Sequence, residues 1–132
     1  MNKTIKIIVI MFSLIALDIL TKMLFYGKHF FIFNYIENKG LIFGLNLFNP
    51  LTTILLTLIF IIIWIILLIK SKKEYSTGII FILAGLVSNL LNRIFLGYVI
   101  DFIDIKIISI FNLADVFIIV GVILLIWRAI KK

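Results

Sequence analysis

Two carboxylates, Asp101 and Asp115, sit at the edges of long apolar runs, in Gly97-Tyr98-Val99-Ile100-Asp101-Phe102 and Phe111-Asn112-Leu113-Ala114-Asp115. A carboxylate in or beside a membrane span is costly to keep there and is a functional candidate by default. Two carboxylates in contact cannot both ionise easily. They share one proton, so one acts as a base toward water and the other as an acid. That is the chemistry of peptide hydrolysis by an aspartic dyad, and its two apparent pKa values belong to the pair jointly. Asp115 would also feel the positive end of the helix it begins. A plainer reading stands beside this one. Asn112 is a good helix N-cap, and Asp115, three residues on, can complete a box-like cap. Asp101 would then be a solvated loop acid.

Two further polar pairs need an account. Asn89 and Arg93 are four apart and share one helix face. Arg93 could orient a carboxylate or bind a substrate carbonyl, or it could snorkel to the headgroups. Asp18 and Lys22 show the same spacing, and a structural ion pair within a bundle is the expected role for them. Cysteine is absent, which removes disulfides, thiolate metal sites and cysteine nucleophiles together. The single histidine, His29, excludes a His-pair metal site within one chain. No metal site is expected.

The elements that carry these residues follow from composition. Of 132 residues, 64% are hydrophobic and only 14% charged, against about a quarter charged in soluble domains. Such a surface needs lipid. A span takes about 20 mostly apolar residues, and four segments qualify, roughly 5–25, 51–69, 78–96 and 113–130. Unpaired backbone groups are not tolerated in lipid, so each segment is expected to be a helix. The expected fold is an all-α integral membrane protein forming a single membrane domain over 1–132. The first segment could be a cleaved signal peptide, but it contains Asp18 and lacks a small-x-small cleavage site.

The net charge is +7, and the bases sit at helix ends rather than on one amphipathic face, so no nucleic-acid partner is expected. Lys3 and Lys6, then Lys70, Lys72 and Lys73, then Arg128, Lys131 and Lys132 all fall on one side of a four-span chain. The positive-inside rule makes that side cytoplasmic, both termini included. Asp101 and Asp115 then meet the opposite, outer face at about the same depth. In the first outer loop, Phe30–Ile36 and Leu41–Leu45 are rich in strand formers, and Asn38-Lys39-Gly40 between them reads as a turn. A small β-hairpin-like platform on the outer surface is expected. An irregular amphipathic loop is the alternative.

The sequence resembles the signal peptidase II family, the lipoprotein signal peptidases, along nearly its whole length. The residues that carry the resemblance occur in the family's order. They are Asp18-x-x-Thr21-Lys22, then Asn38-x-Gly40-x-x-Phe43-Gly44, then Gly85-x-x-x-Asn89-x-x-Asn92-Arg93, and finally the two blocks around Asp101 and Asp115. The resemblance implies a bacterial cytoplasmic-membrane aspartic endopeptidase. Such enzymes remove the signal peptide from diacylglyceryl-modified prolipoproteins, cutting just before the lipidated cysteine, with no metal or cofactor. It implies that Asp101 and Asp115 form the dyad. Asn38, Asn89, Arg93 and Asn112 would support the site or hold the substrate backbone. Asp18 and Lys22 would brace the first helix, and the first outer loop would clamp the substrate. Membrane lipids and a globomycin-type inhibitor are further implied partners.

The chain departs from the family at three places. Asn92 stands where aspartate is usual, Ser88 where glycine is usual, and Leu41-Ile42 are bulkier than the residues usual before the phenylalanine. These departures bear on substrate fit and on packing of the third helix. Two other functions are compatible with some of these residues. One is a small proton-coupled transporter, whose carboxylate would sit near the bilayer midplane. The other is a non-catalytic relative that binds lipopeptides without cutting.

Overall fold

The structure, a computed structural model, describes residues 3–40 and 49–131. Four helices, α1 (Lys3–Phe25), α2 (Pro50–Lys70), α3 (Ser76–Leu96) and α4 (Leu113–Ile130), are each long and apolar enough to cross a membrane. Their ends follow local chemistry. Asn49 caps α2 by accepting from the Thr52 N–H at 2.8 Å, and Pro50 occupies the first turn, where its missing N–H has no helical partner to lose. α3 stops at Gly97, whose left-handed φ of 81° lets its N–H return to the Arg93 carbonyl. Only a 3-10 turn, Lys73–Tyr75, separates α2 from α3.

α3 is the central helix. Its buried residues Ile79, Ile82, Leu83 and Leu90 meet α2 and α4, while α1 packs on it from a third side. The antiparallel α3–α4 seam is set by small residues seven apart on each helix. Gly78 lies against Gly121, and Gly85 against Ala114. A Cβ added at Gly121 would stand 2.5 Å from the Gly78 carbonyl oxygen, and one at Gly85 would overlap the Ala114 carbonyl. Close backbone approach between small residues is how helices gain contact where lipid offers no hydrophobic drive. α2 carries its few polar groups inward. Thr53 and Thr57 are buried and donate back to the Asn49 and Thr53 carbonyls.

At one end of the bundle, hereafter the sheet end, lie three short antiparallel strands in the order β1 (His29–Phe30), β2 (Phe33–Asn38) and β3 (Val99–Ile103). The platform is therefore present, but its pairing differs from the hairpin expected with a turn at Asn38–Gly40. The tight turn falls at Phe31-Ile32, where Phe31 adopts a φ of 54°. The far edge of β2 pairs with β3, with Ile36 opposite Asp101. The expected partner, Leu41–Leu45, and the Phe43-Gly44 motif lie outside the described residues. At Asn38 itself the chain does bend, since the Gly40 N–H donates to Asn38 Oδ1 at 2.9 Å. A ring stack fastens the sheet to the bundle. Phe25, the last residue of α1, stacks on Phe33 at 4.1 Å and on Phe102 at 4.9 Å.

Candidate active site

Most of the buried polar side chains gather at the sheet end, where α1, α3, β3 and the start of α4 meet. Asp18 and Lys22 come from α1, Ser88, Asn89 and Arg93 from α3, Asp101 from β3, and Asn112 from the N-cap of α4. Burying so many polar groups is tolerable only if each is bonded, and the bonds form one connected network.

Asp101 is 1% exposed. Its Oδ2 accepts from Asn38 Nδ2 at 2.7 Å and its Oδ1 from Asn112 Nδ2 at 2.6 Å. The first bond follows from strand register. Ile36 faces Asp101 across the ladder, and Asn38, two residues on, shares that face and reaches Asp101 diagonally. Asp115 begins α4. Its Oδ2 accepts from the Asn112 backbone N–H at 3.1 Å, and its Oδ1 accepts from Asn89 Nδ2 at 2.9 Å. Asn112 returns the favour by accepting the Asp115 N–H at 3.0 Å. The capping box read in the sequence is thus real, and it does not compete with the functional reading. The residue that closes the cap is also the one that joins the two carboxylates. Each of the four carboxylate oxygens takes one protein donor among these bonds.

Burial, and then the neighbouring charge of Asp115, push the Asp101 carboxyl up to about 7, against the opposing bonds from Asn38 and Asn112. It is not the solvated loop acid of the plainer reading. Asp104, further along the same segment, is held below the usual carboxylate range by its bond to Lys106.

Beneath the carboxylates, Lys22 Nζ contacts Asp18 Oδ2 at 2.7 Å, the ion pair expected from their spacing, and both residues are fully buried. Lys22 also donates to Asn89 Oδ1 at 2.9 Å. Arg93 does not snorkel. It is buried, and its Nη2 donates to the Gly40 carbonyl at 3.1 Å, tying α3 to the end of β2 within range of the Asp101 and Asp115 charges.

Sequence reasoning missed two contacts. Ser88, read only for its effect on packing, donates to Asp18 Oδ2 at 2.6 Å. The Ala114 N–H donates to Asp18 Oδ1 at 2.8 Å and ties α4 to α1. A hydroxyl beside Asn89 on a buried helix was the available signal for the first, and nothing local marked the second. Asn92, one of the three departures, contacts β3. Its Oδ1 faces the Ile100 N–H at 3.4 Å and steadies the entry to β3.

A cavity of about 400 Å³ opens onto both carboxylates. Asn38, Asn89 and Arg93 line its polar end together with Asp101 and Asp115. The rest is apolar, running between α2, α3 and α4 past Phe60, Trp64, Leu86 and Ile119. Among the described residues no group of three or more His, Asp or Glu side chains is placed to hold a metal ion.

Residues 9–131 match the family described as signal peptidase (SPase) II. The chain belongs to the signal peptidase II family. It is 43% identical over 101 residues to a lipoprotein signal peptidase of Caldanaerobacter subterraneus subsp. tengcongensis, covering 74% of this chain and 70% of that protein. A lipoprotein signal peptidase of Clostridium novyi is 39% identical over 106 residues, covering 74% and 72%. A solved bacterial membrane enzyme superposes with a TM-score of 0.83 at 26% identity, covering 96% of this chain and 88% of the other. The chain is thus a multi-pass bacterial membrane protein of a peptidase family. The resemblance carried by its five blocks holds over the whole span that they cover.

Proposed function

We propose that this protein is an aspartic endopeptidase, with Asp101 and Asp115 as its dyad, that removes the signal peptide from diacylglyceryl-modified prolipoproteins. The observation that carries the reading is the pair of buried carboxylates joined through Asn112 at the polar end of an otherwise apolar cavity. A water held between the carboxylates is the nucleophile. Asp101, with its carboxyl pushed up to about 7, holds the shared proton near neutrality and donates it to the scissile carbonyl oxygen. Ionised Asp115 takes a proton from the water as its oxygen adds to the carbonyl carbon. In the resulting gem-diol, Asp115 passes its proton to the leaving nitrogen and Asp101 recovers one from a diol hydroxyl. The C–N bond breaks, leaving a new carboxyl on the signal peptide and a free amine on the lipidated cysteine.

The remaining residues have supporting tasks in this reading. Asn38, Asn89 and Asn112 hold the carboxylates, and Arg93 meets the substrate backbone near Gly40. The apolar part of the cavity takes acyl chains or signal-peptide side chains, as a membrane-held substrate requires. In this reading both termini lie in the cytoplasm and the dyad near the outer face, which the positive-inside rule applied to the basic helix ends supports. A globomycin-type inhibitor would compete for the dyad, and membrane lipids would flank the cavity mouth. A transporter would need a carboxylate well inside a span. Asp18, the acid furthest inside a span, is engaged by Lys22, Ser88 and Ala114.

The test is cleavage by the purified protein of a diacylglyceryl-modified prolipoprotein, followed by mass spectrometry. The reading predicts a product beginning at the lipidated cysteine, formed slowly or not at all from unlipidated precursor, and blocked by globomycin. Binding of the lipidated precursor without turnover would instead favour a non-catalytic lipopeptide-binding relative.

A further inference from the structure

The three asparagines around the carboxylates all present their NH₂ groups to Asp101 or Asp115, and an amide can do this only if something fixes which way it faces. A flipped amide would set its oxygen against a carboxylate. For Asn38 the fixing donor is the Gly40 N–H, and for Asn112 it is the Asp115 N–H. Each of these is a backbone group that can only donate. Among the described residues Asn89 has no backbone donor in this role. Its Oδ1 instead accepts from Lys22 Nζ at 2.9 Å and from Asn112 Nδ2 at 3.1 Å, while its Nδ2 meets Asp115 at 2.9 Å. Of those two donors to Oδ1, Lys22 brings a charge and the shorter contact, and so is the stronger hold.

We propose that Lys22 is a positioning residue for Asp115, acting through the Asn89 amide, a role that rests on the reading of Asp101 and Asp115 as a dyad. The ammonium locks Asn89 with its NH₂ toward Asp115. The same oxygen of Asn89 then receives Asn112 Nδ2, which also bonds Asp101. One cation on α1 thereby sets the donor pattern of both carboxylates from beneath. Asp18 makes a buried ammonium tolerable and aims it, being itself held by Ser88 and by the Ala114 N–H at the start of α4. The Ser88 hydroxyl, on the helix turn that carries Asn89, thus gives this chain an extra tie between Asp18 and α3.

Two kinds of readout test this. In the cleavage assay, Lys22→Met lowers kcat about 10- to 100-fold, the size expected when the partner of a partner is lost, with KM within about twofold. The acid limb of its kcat/KM profile moves to higher pH, because a cation and a donor that favour ionised carboxylates are gone. Lys22→Gln, whose NH₂ the Asp18 carboxylate turns toward itself and Asn89 Oδ1, keeps a donor without the charge and recovers most of kcat. Lys22→Met combined with Asn89→Ala is no slower than Asn89→Ala alone. Losses that multiply in the double variant, or a Lys22→Gln as slow as Lys22→Met, would overturn the proposal. Where Lys22→Met does not fold, Asp18→Asn/Lys22→Met removes both charges and carries the same comparison.

The second readout needs no turnover. NMR of the Asn89 side-chain amide should find its protons protected from solvent exchange in the wild type and in Lys22→Gln, and unprotected in Lys22→Met. Equal protection in all three overturns the proposal. A wild type that fails to cleave would strike the dyad reading, and the amide signal would still decide the orientation claim.

Discussion

The two ends of the α3–α4 seam are built alike in backbone and differ in side-chain chemistry. At the end near the 3-10 turn, Gly78 and Gly121 bring the helices together among Ile79, Ile82 and Leu125. At the sheet end, Gly85 and Ala114 make the same approach seven residues on, but there Ser88, Asn89, Asn112 and Asp115 follow. The comparison separates two tasks. The small residues fix the distance between helices at both ends, and only one end uses that distance to hold carboxylates. Damage to the seam should therefore read as lost stability at either end, and as lost activity only at the sheet end.

The largest effect expected from this contrast is on turnover. Asp101→Asn and Asp115→Asn should each lower kcat/KM by at least about a thousandfold, with thermal unfolding still cooperative. Cleavage within tenfold of wild type in either variant would remove that residue from the dyad. Gly85→Leu should damage both properties. Its added carbons meet the Ala114 carbonyl and Ile118 Cγ1, and they would displace the start of α4 that carries Asp115. Gly121→Leu adds the same bulk against Gly78 and Ile82. It should lower stability by about 1–3 kcal/mol while activity per folded molecule stays within about threefold. Equal loss of specific activity at both positions would erase the distinction between the ends.

A smaller effect concerns pH and stability. Asp101 binds its proton up to about 7 in the folded protein, well above the ordinary carboxylate value. The folded state is therefore the better proton binder between those values. The stability tied to that proton is complete at low pH and is lost as pH rises through about 7. The Tm of wild type should fall relative to that of Asp101→Asn as pH is raised from 5 to 8, and parallel curves would contradict the burial account. The smallest effect belongs to a residue outside the α3–α4 seam. Asn49→Ala should cost about 1 kcal/mol through loss of the α2 cap, with kcat unchanged.

The spans were legible within a few residues because hydropathy of that strength admits only helix in lipid. The start of α4 was legible because Asn112 is a good N-cap, and Asn49-Pro50 and Gly97 prove to be local start and stop signals of the same kind. The pairing of β2 with β3 was not. Asn38 and Asp101 lie 63 residues apart, and period-two patterning says that a segment is a strand without naming its partner. The turn at Phe31-Ile32 was hidden for a related reason, since Phe31 is a poor residue for positive φ and carries no turn signature. Within the site, Asp18 and Lys22 declared themselves as a pair by spacing. The tie from Ser88 to Asp18 did not, because it depends on which faces of α1 and α3 meet.

The measurement that tests the central claim most directly is the pH profile of kcat/KM for cleavage of a diacylglyceryl-modified prolipoprotein, over the range where the protein stays folded. A dyad that shares one proton gives a bell-shaped profile. Because Asp101 must carry the proton, the basic limb should fall through pH about 7. A rate that stays flat from pH 5 to 9 would mean that no shared proton limits the reaction, and the two-carboxylate account would fail.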